Sequence, residues 1–171
     1  MPCMDQCADC GFTYDLTRAE TAGEGIASGV SGLAAILSDP SVDSHRRRQP
    51  EQWSPLEYGC HVRDVLTVQR ERVLHTRRAD RPRAEPMGRD ERVDHDGYAE
   101  QNPEDVARQL IEAARLFAHV LARLDASGWE RTLIYTYPEV AERSLRWVAV
   151  HTQHEVQHHV LDVQRQLAAT G

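Results

Sequence analysis

The sequence predicts an all-α protein, a four-helix bundle preceded by a short cysteine-containing segment. Three observations carry that prediction. Two stretches, Ser54-Pro55-Leu56-Glu57 and Asn102-Pro103-Glu104-Asp105, share one opening signature, a capping side chain followed by proline and acid. There the cap oxygen takes up first-turn amides that have no partner within the helix. Apolar residues recur at three- and four-residue spacing in four separate windows, the period of a helix with one face in a core. The last window runs from Ala141 to Ala169 without a Gly or Pro, so nothing in it opposes a long helix.

Each element has its own justification. From Thr17 to about Leu37, Ile26, Val30, Leu33, Ile36 and Leu37 recur with helical period, and Asp39-Pro40 ends the run. Gly23, Gly25, Gly29 and Gly32 in this first helix cost up to ~1 kcal/mol each relative to Ala, unless they admit a neighbouring helix or a second copy of the chain at close range. The second helix starts at Pro55, with Trp53 and Tyr58 placed to close a hydrophobic staple around the cap. Its inward face carries Cys60, His61, Asp64, Val65, Val68 and Arg72. Residues 79–102 are rich in Pro, Gly and charge and read as a long loop. The third helix spans 103–126, burying Val106, Leu110, Ala114, Phe117, Leu121 and Leu124 and leaving His119 in solvent. Ser127-Gly128 breaks the pattern, and residues 132–137 suit a short extended crossing segment. The fourth helix follows and carries the histidines.

Length and charge bound the function. The 171 residues, 40% of them hydrophobic, suffice for one core, which divides the chain into a Cys-rich segment at 1–15 and a bundle domain at 16–171. No apolar run approaches the ~18 residues of a membrane span and no signal pattern opens the chain, so a cytoplasmic location away from membranes is expected. A net charge of −7 and a lone basic run at Arg46-Arg47-Arg48 argue against a nucleic-acid partner. All twenty basic residues are Arg, which removes Schiff-base and lysine-nucleophile chemistry and suggests a GC-rich genome.

Two clusters carry metal chemistry. Cys7-x2-Cys10-Gly11 has the form of a zinc knuckle, Cys3 adds a third thiol, and Cys60 or a His could complete a four-ligand site. The same cysteine spacing occurs in radical enzymes with an iron–sulfur cluster, but those need a large α/β barrel absent here. In the fourth helix His154 and His158 stand one turn apart and His151 lies on the same side. His154-Glu155-Val156-Gln157-His158 fits the His-Glu-x-x-His pattern of zinc peptidases, in which the Glu is the base. Only 13 residues follow His158 and they hold no Glu and no suitably spaced His, so the third ligand has to come from upstream. His61 on the second helix is placed to supply it, with Asp162 near enough to orient His158.

These residues resemble the DinB-like superfamily, most closely its actinobacterial branch. The segments that carry the resemblance are Cys7 to Phe12, Trp53 to Asp64, Tyr98 to Pro103 and His154 to His159, so it spans nearly the whole chain. It implies an up-down-down-up four-helix bundle, with zinc or nickel bound by His61, His154 and His158. It also implies thiol transfer or isomerisation with small thiols such as mycothiol. In mycothiol-dependent maleylpyruvate isomerases the position matching His154 is Glu, so His154 here favours a transferase. On this reading a small-molecule thiol and an electrophile are the partners, and Glu155 or Asp64 orients ligands or moves protons. A metal-binding or stress-response protein without catalysis is the competing expectation, and a metal-dependent hydrolase with Glu155 as base ranks third. A homodimer through the glycine-rich first helix stays open.

Overall fold

A computed structural model describes residues 6–137 and 139–169. Four long helices form its frame: α1 (Ala22–Leu37), α2 (Pro55–Arg78), α4 (Pro103–Ala122) and α6 (Leu145–Ala168). Between them lie two short helices, α3 (Arg89–Asp94) and α5 (Ala126–Trp129), and a hairpin of β1 (Thr132–Tyr135) and β2 (Ala141–Ser144). α1 and α2 each lie along both α4 and α6, which sets α1 diagonal to α2 and α4 diagonal to α6 in a four-helix bundle.

The starts of the helices follow from local chemistry. Asp15 caps a 3-10 turn (Leu16–Thr21) that leads into α1. Ser54 accepts from the Glu57 amide while the Glu57 carboxylate takes the Ser54 amide at 2.8 Å, closing the capping box of α2. Glu57 is buried, and Arg47 from the basic loop pairs with its carboxylate, so the capping box is also an ion pair. Asn102 caps the Glu104 and Asp105 amides of α4, and Ser144 caps Trp147 of α6. Ile26, Val30, Leu33, Leu66, Leu110, Phe117, Leu145 and Val156 are fully enclosed at the centre, each contributing about 1.5–3 kcal/mol by leaving water. His119 is exposed, as its place off the apolar face of α4 requires.

Three differences from expectation have local causes. The inward face of α2 includes Leu66, Gln69 and Val73, whereas Val68 is half-buried. Residues 79–102 are ordered by a side chain from elsewhere: Asp64 of α2 accepts from Arg92 at 2.9 Å and from the Tyr98 hydroxyl at 2.7 Å. α3 buries no residue, so it leaves no periodicity to read. β1 is the expected extended segment, but its partner β2 pairs antiparallel with it, Thr132 opposite Ser144 and Tyr135 opposite Ala141. β2 lies in the stretch without Gly or Pro, where only the Ser144 cap marks the true start of α6.

Candidate metal centre

α6 presents two parallel stripes of ligand-bearing residues, and other parts of the chain meet each of them. His61 of α2 joins Glu155 and His159, one donor atom from each lying within 4.8 Å of the others. The His61 and His159 rings meet edge to face at 4.9 Å between centroids, and His159 Nε2 is 3.8 Å from Glu155 Oε2. The expected set of His61, His154 and His158 is therefore divided, because His61 gathers with 155 and 159 while 154 and 158 belong to another cluster. The reason is angular. Neighbouring residues leave a helix about 100° apart, and α2 approaches α6 from the side that shows 155 and 159.

The surroundings of this cluster orient its donors. Trp53 packs on His61 and Tyr58 on His159, with ring centroids 5.1 and 5.3 Å apart, and the two aromatic rings close the expected staple at 5.5 Å. Asp162 Oδ2 lies 3.2 Å from His159 Nδ1, which keeps a proton on that nitrogen and turns the Nε2 lone pair towards Glu155. Burial, with His159 beside it, lowers the His61 pKa to about 4. Burial opposes ionisation of Glu155, but His154, His151 and His159 outweigh it and hold the carboxyl down at about 2. A neutral imidazole and an ionised carboxylate are the forms that bind metals. His61 Nδ1 is buried without a hydrogen-bond partner, a donor set aside for something other than protein.

The second stripe meets the N-terminal segment. Cys7, Cys10, His154 and His158 bring one donor atom each within 4.8 Å of one another, with Cys7 Sγ 3.7 Å from His158 Nδ1. Burial raises the Cys7 thiol, but the amides of Cys10 and Asp9 and the His154 ring outweigh it and bring it down to about 6. The Tyr14 hydroxyl is 2.8 Å from His154 Nδ1 and 2.9 Å from His151 Nδ1. A third grouping of His151, His154 and Glu155 shares members with both clusters. His151 also stacks on Trp147 at 4.3 Å, so packing and the Tyr14 hydrogen bond account for it.

Other expected site residues sit elsewhere. Cys60 is enclosed beside the Tyr98 carbonyl and Gln101, at 3.8 and 3.5 Å, and burial pushes its thiol up to about 12. It is a core residue, and His154 and His158 stand with Cys7 and Cys10 instead. Cys3 lies outside the described residues. Asp64 has both oxygens committed, to Arg63 at 2.8 Å and to Arg92 and Tyr98, so it anchors the 79–102 segment instead of serving a metal. Sequence reasoning passed over His159, although Glu155 and His159 repeat the one-turn spacing of His154 and His158. Tyr14 carried no signal of its own.

A cleft of about 240 Å³ adjoins the His61 cluster through Tyr58 and Asp162 and is edged by the guanidinium-bearing Arg48 and Arg165. Comparison with known proteins agrees with this architecture. A family model described as the DinB superfamily matches residues 31–163, a span that holds His61 and both stripes of α6 but not Cys7 or Cys10. No curated protein matches. Among solved structures, YfiT from Bacillus subtilis is similar at 12% identity and a TM-score of 0.71, over 98% of this chain and 93% of that one. It is described as a probable metal-dependent hydrolase with an unusual four-helix bundle topology. At that identity the likeness is one of fold.

Proposed function

The chain belongs to the DinB superfamily, and from that premise we propose that it is a metal-dependent enzyme that transfers a small thiol of the mycothiol class to an electrophile. The observation that carries the reading is the cluster of His61, Glu155 and His159, with a cleft nearby that is lined by Tyr58 and Asp162, the two residues that touch His159. The donors suit a divalent metal: two imidazoles and a carboxylate are a set that zinc takes when it keeps a position for water or substrate. The buried, unpartnered His61 Nδ1 fits the same conclusion, since such an atom is costly unless something binds it. Zinc is the favoured ion and nickel the alternative. When bound, the metal supplies a Lewis acid that lowers the pKa of a coordinated thiol or water.

The chain's own residues do the rest. His61 and His159 orient the site, the latter through Asp162. Trp53 and Tyr58 cover the imidazoles with aromatic surface and keep bulk water from them. Arg48 and Arg165 face the cleft and suit an anionic or strongly polar part of a substrate. Glu155 stands among the ligands, so a peptidase-like reaction with Glu155 as free base loses its base. The reason for preferring transfer over isomerisation, a His in place of a Glu ligand, also falls away, because Glu155 fills that role. Both reactions begin with the same activated thiol.

Zinc- and nickel-loaded protein should conjugate an electrophile with mycothiol faster than with cysteine or glutathione. His61→Ala should lower that rate by more than the ~100-fold reached when a residue behind a ligand is lost. A rate equal to that of His61→Ala with every thiol would overturn the proposal. So would His61-dependent hydrolysis of an ester without any thiol, which would assign water as the nucleophile.

A further inference from the structure

The family match begins at residue 31, so the function proposed above makes no use of the N-terminal hairpin. That hairpin is built to present two sulfurs. Cys7 donates its amide to the Phe12 carbonyl and accepts from the Gly11 amide, both at 2.9 Å, while Gln6 bridges to Thr13. Gly11 turns the chain at φ 73°, in the left-handed region that glycine enters without steric cost. The Arg165 guanidinium of α6 donates to the Asp9 carbonyl at 2.9 Å, which holds the turn against the helix. Cys7 and Cys10 are free thiols.

The imidazoles opposite them are prepared in the same sense. His154 gives its Nδ1 to the Tyr14 hydroxyl, and its Nε2 is buried without a hydrogen-bond partner. If His154 donates to Tyr14 and Tyr14 donates onward to His151, the Nε2 lone pair stays free for a metal. His158 has the complementary arrangement, with Nε2 3.7 Å from Asp162 and Nδ1 facing Cys7. Phe12 packs on the His154 ring at 5.3 Å and shields it from water.

We infer that Cys7, Cys10, His154 and His158 form a second, closed metal site that takes zinc and fastens the N-terminal segment to α6. Two thiolates and two imidazoles are a complete tetrahedral set, so this ion is structural and leaves no position for substrate. Both cysteines bind as thiolates, and the ion's two positive charges balance them. The site shares no residue with His61, Glu155 and His159. Seating the N-terminal segment fixes the Tyr14 hydroxyl on α6 one residue away from Glu155, and so stiffens the helix that carries the other cluster.

The test is cobalt(II) loading of the full chain, read by absorption and metal content. Two equivalents and a thiolate-to-cobalt charge-transfer band are expected. Cys7→Ser/Cys10→Ser should abolish the band and leave one equivalent, whereas His61→Ala should keep the band and lose the other equivalent. The inference is overturned if the unmodified protein shows no such band, if the double variant keeps it, or if Cys3→Ser or Cys60→Ser removes it. Should the double variant not fold, as judged by circular dichroism, alkylation of the unmodified protein decides. Zinc should protect Cys7 and Cys10 and chelation should expose them, and equal labelling in both states would refute the site.

Discussion

His154 and Glu155 are neighbours in the chain, yet their side chains leave α6 about 100° apart, so one serves the N-terminal cysteines and the other His61. Asp162 stands behind both clusters, 3.2 Å from His159 Nδ1 and 3.7 Å from His158 Nε2. A carboxylate in that position fixes the ring of the ligand, and its loss typically lowers metal affinity 10–100-fold. Asp162→Ala should therefore weaken the equivalent held with His61 and His159 by that factor in chelator competition, with the shorter contact feeling the larger effect. An unchanged affinity would mean that Asp162 only salts the helix surface.

At the scale of the helices, the glycines of α1 are explained by what stands opposite them. A Cβ at Gly29 would come within 2.7 Å of Val156 Cγ1, and one at Gly25 would run into Gln153 of α6. Gly32 is exposed and meets nothing within 4 Å. The glycines at 25 and 29 thus allow α1 to lie close to the helix that carries both clusters. Gly29→Ala gains helix propensity worth ~1 kcal/mol but must push back an enclosed valine, so a net loss of about 1–2 kcal/mol is expected from overpacking. Gly32→Ala should instead stabilise by about 0.5–1 kcal/mol. Denaturant melts of the two variants check both signs. The sequence could reveal the bundle itself because its evidence is local: the caps at Ser54 and Asn102 and the apolar period of α4 report directly on their own segments. It could not reveal the order in 79–102, which depends on Asp64 reaching across from α2. Nor could it reveal β2, whose residues match a helix equally well until β1 pairs with them.

At the scale of the molecule, residues 7, 61 and 159 come together along one helix from three distant parts of the chain. Ligand types and the importance of α6 were legible as residue chemistry, since clustered Cys and His have few other uses. The partition into sets was not, because it depends on the rotation of α6 against α2, and a shift of one residue exchanges His154 and His158 for Glu155 and His159. The bundle fixes that rotation through Val156 and Leu145, which are enclosed in the core on the side of α6 away from His154 and His158. The central claim is that His61 pairs with Glu155 and His159. Anomalous diffraction at the absorption edge of the bound metal tests it most directly. A peak enclosed by His61, Glu155 and His159 is expected; a peak shared by His61, His154 and His158, with Glu155 and His159 uncoordinated, would refute that pairing.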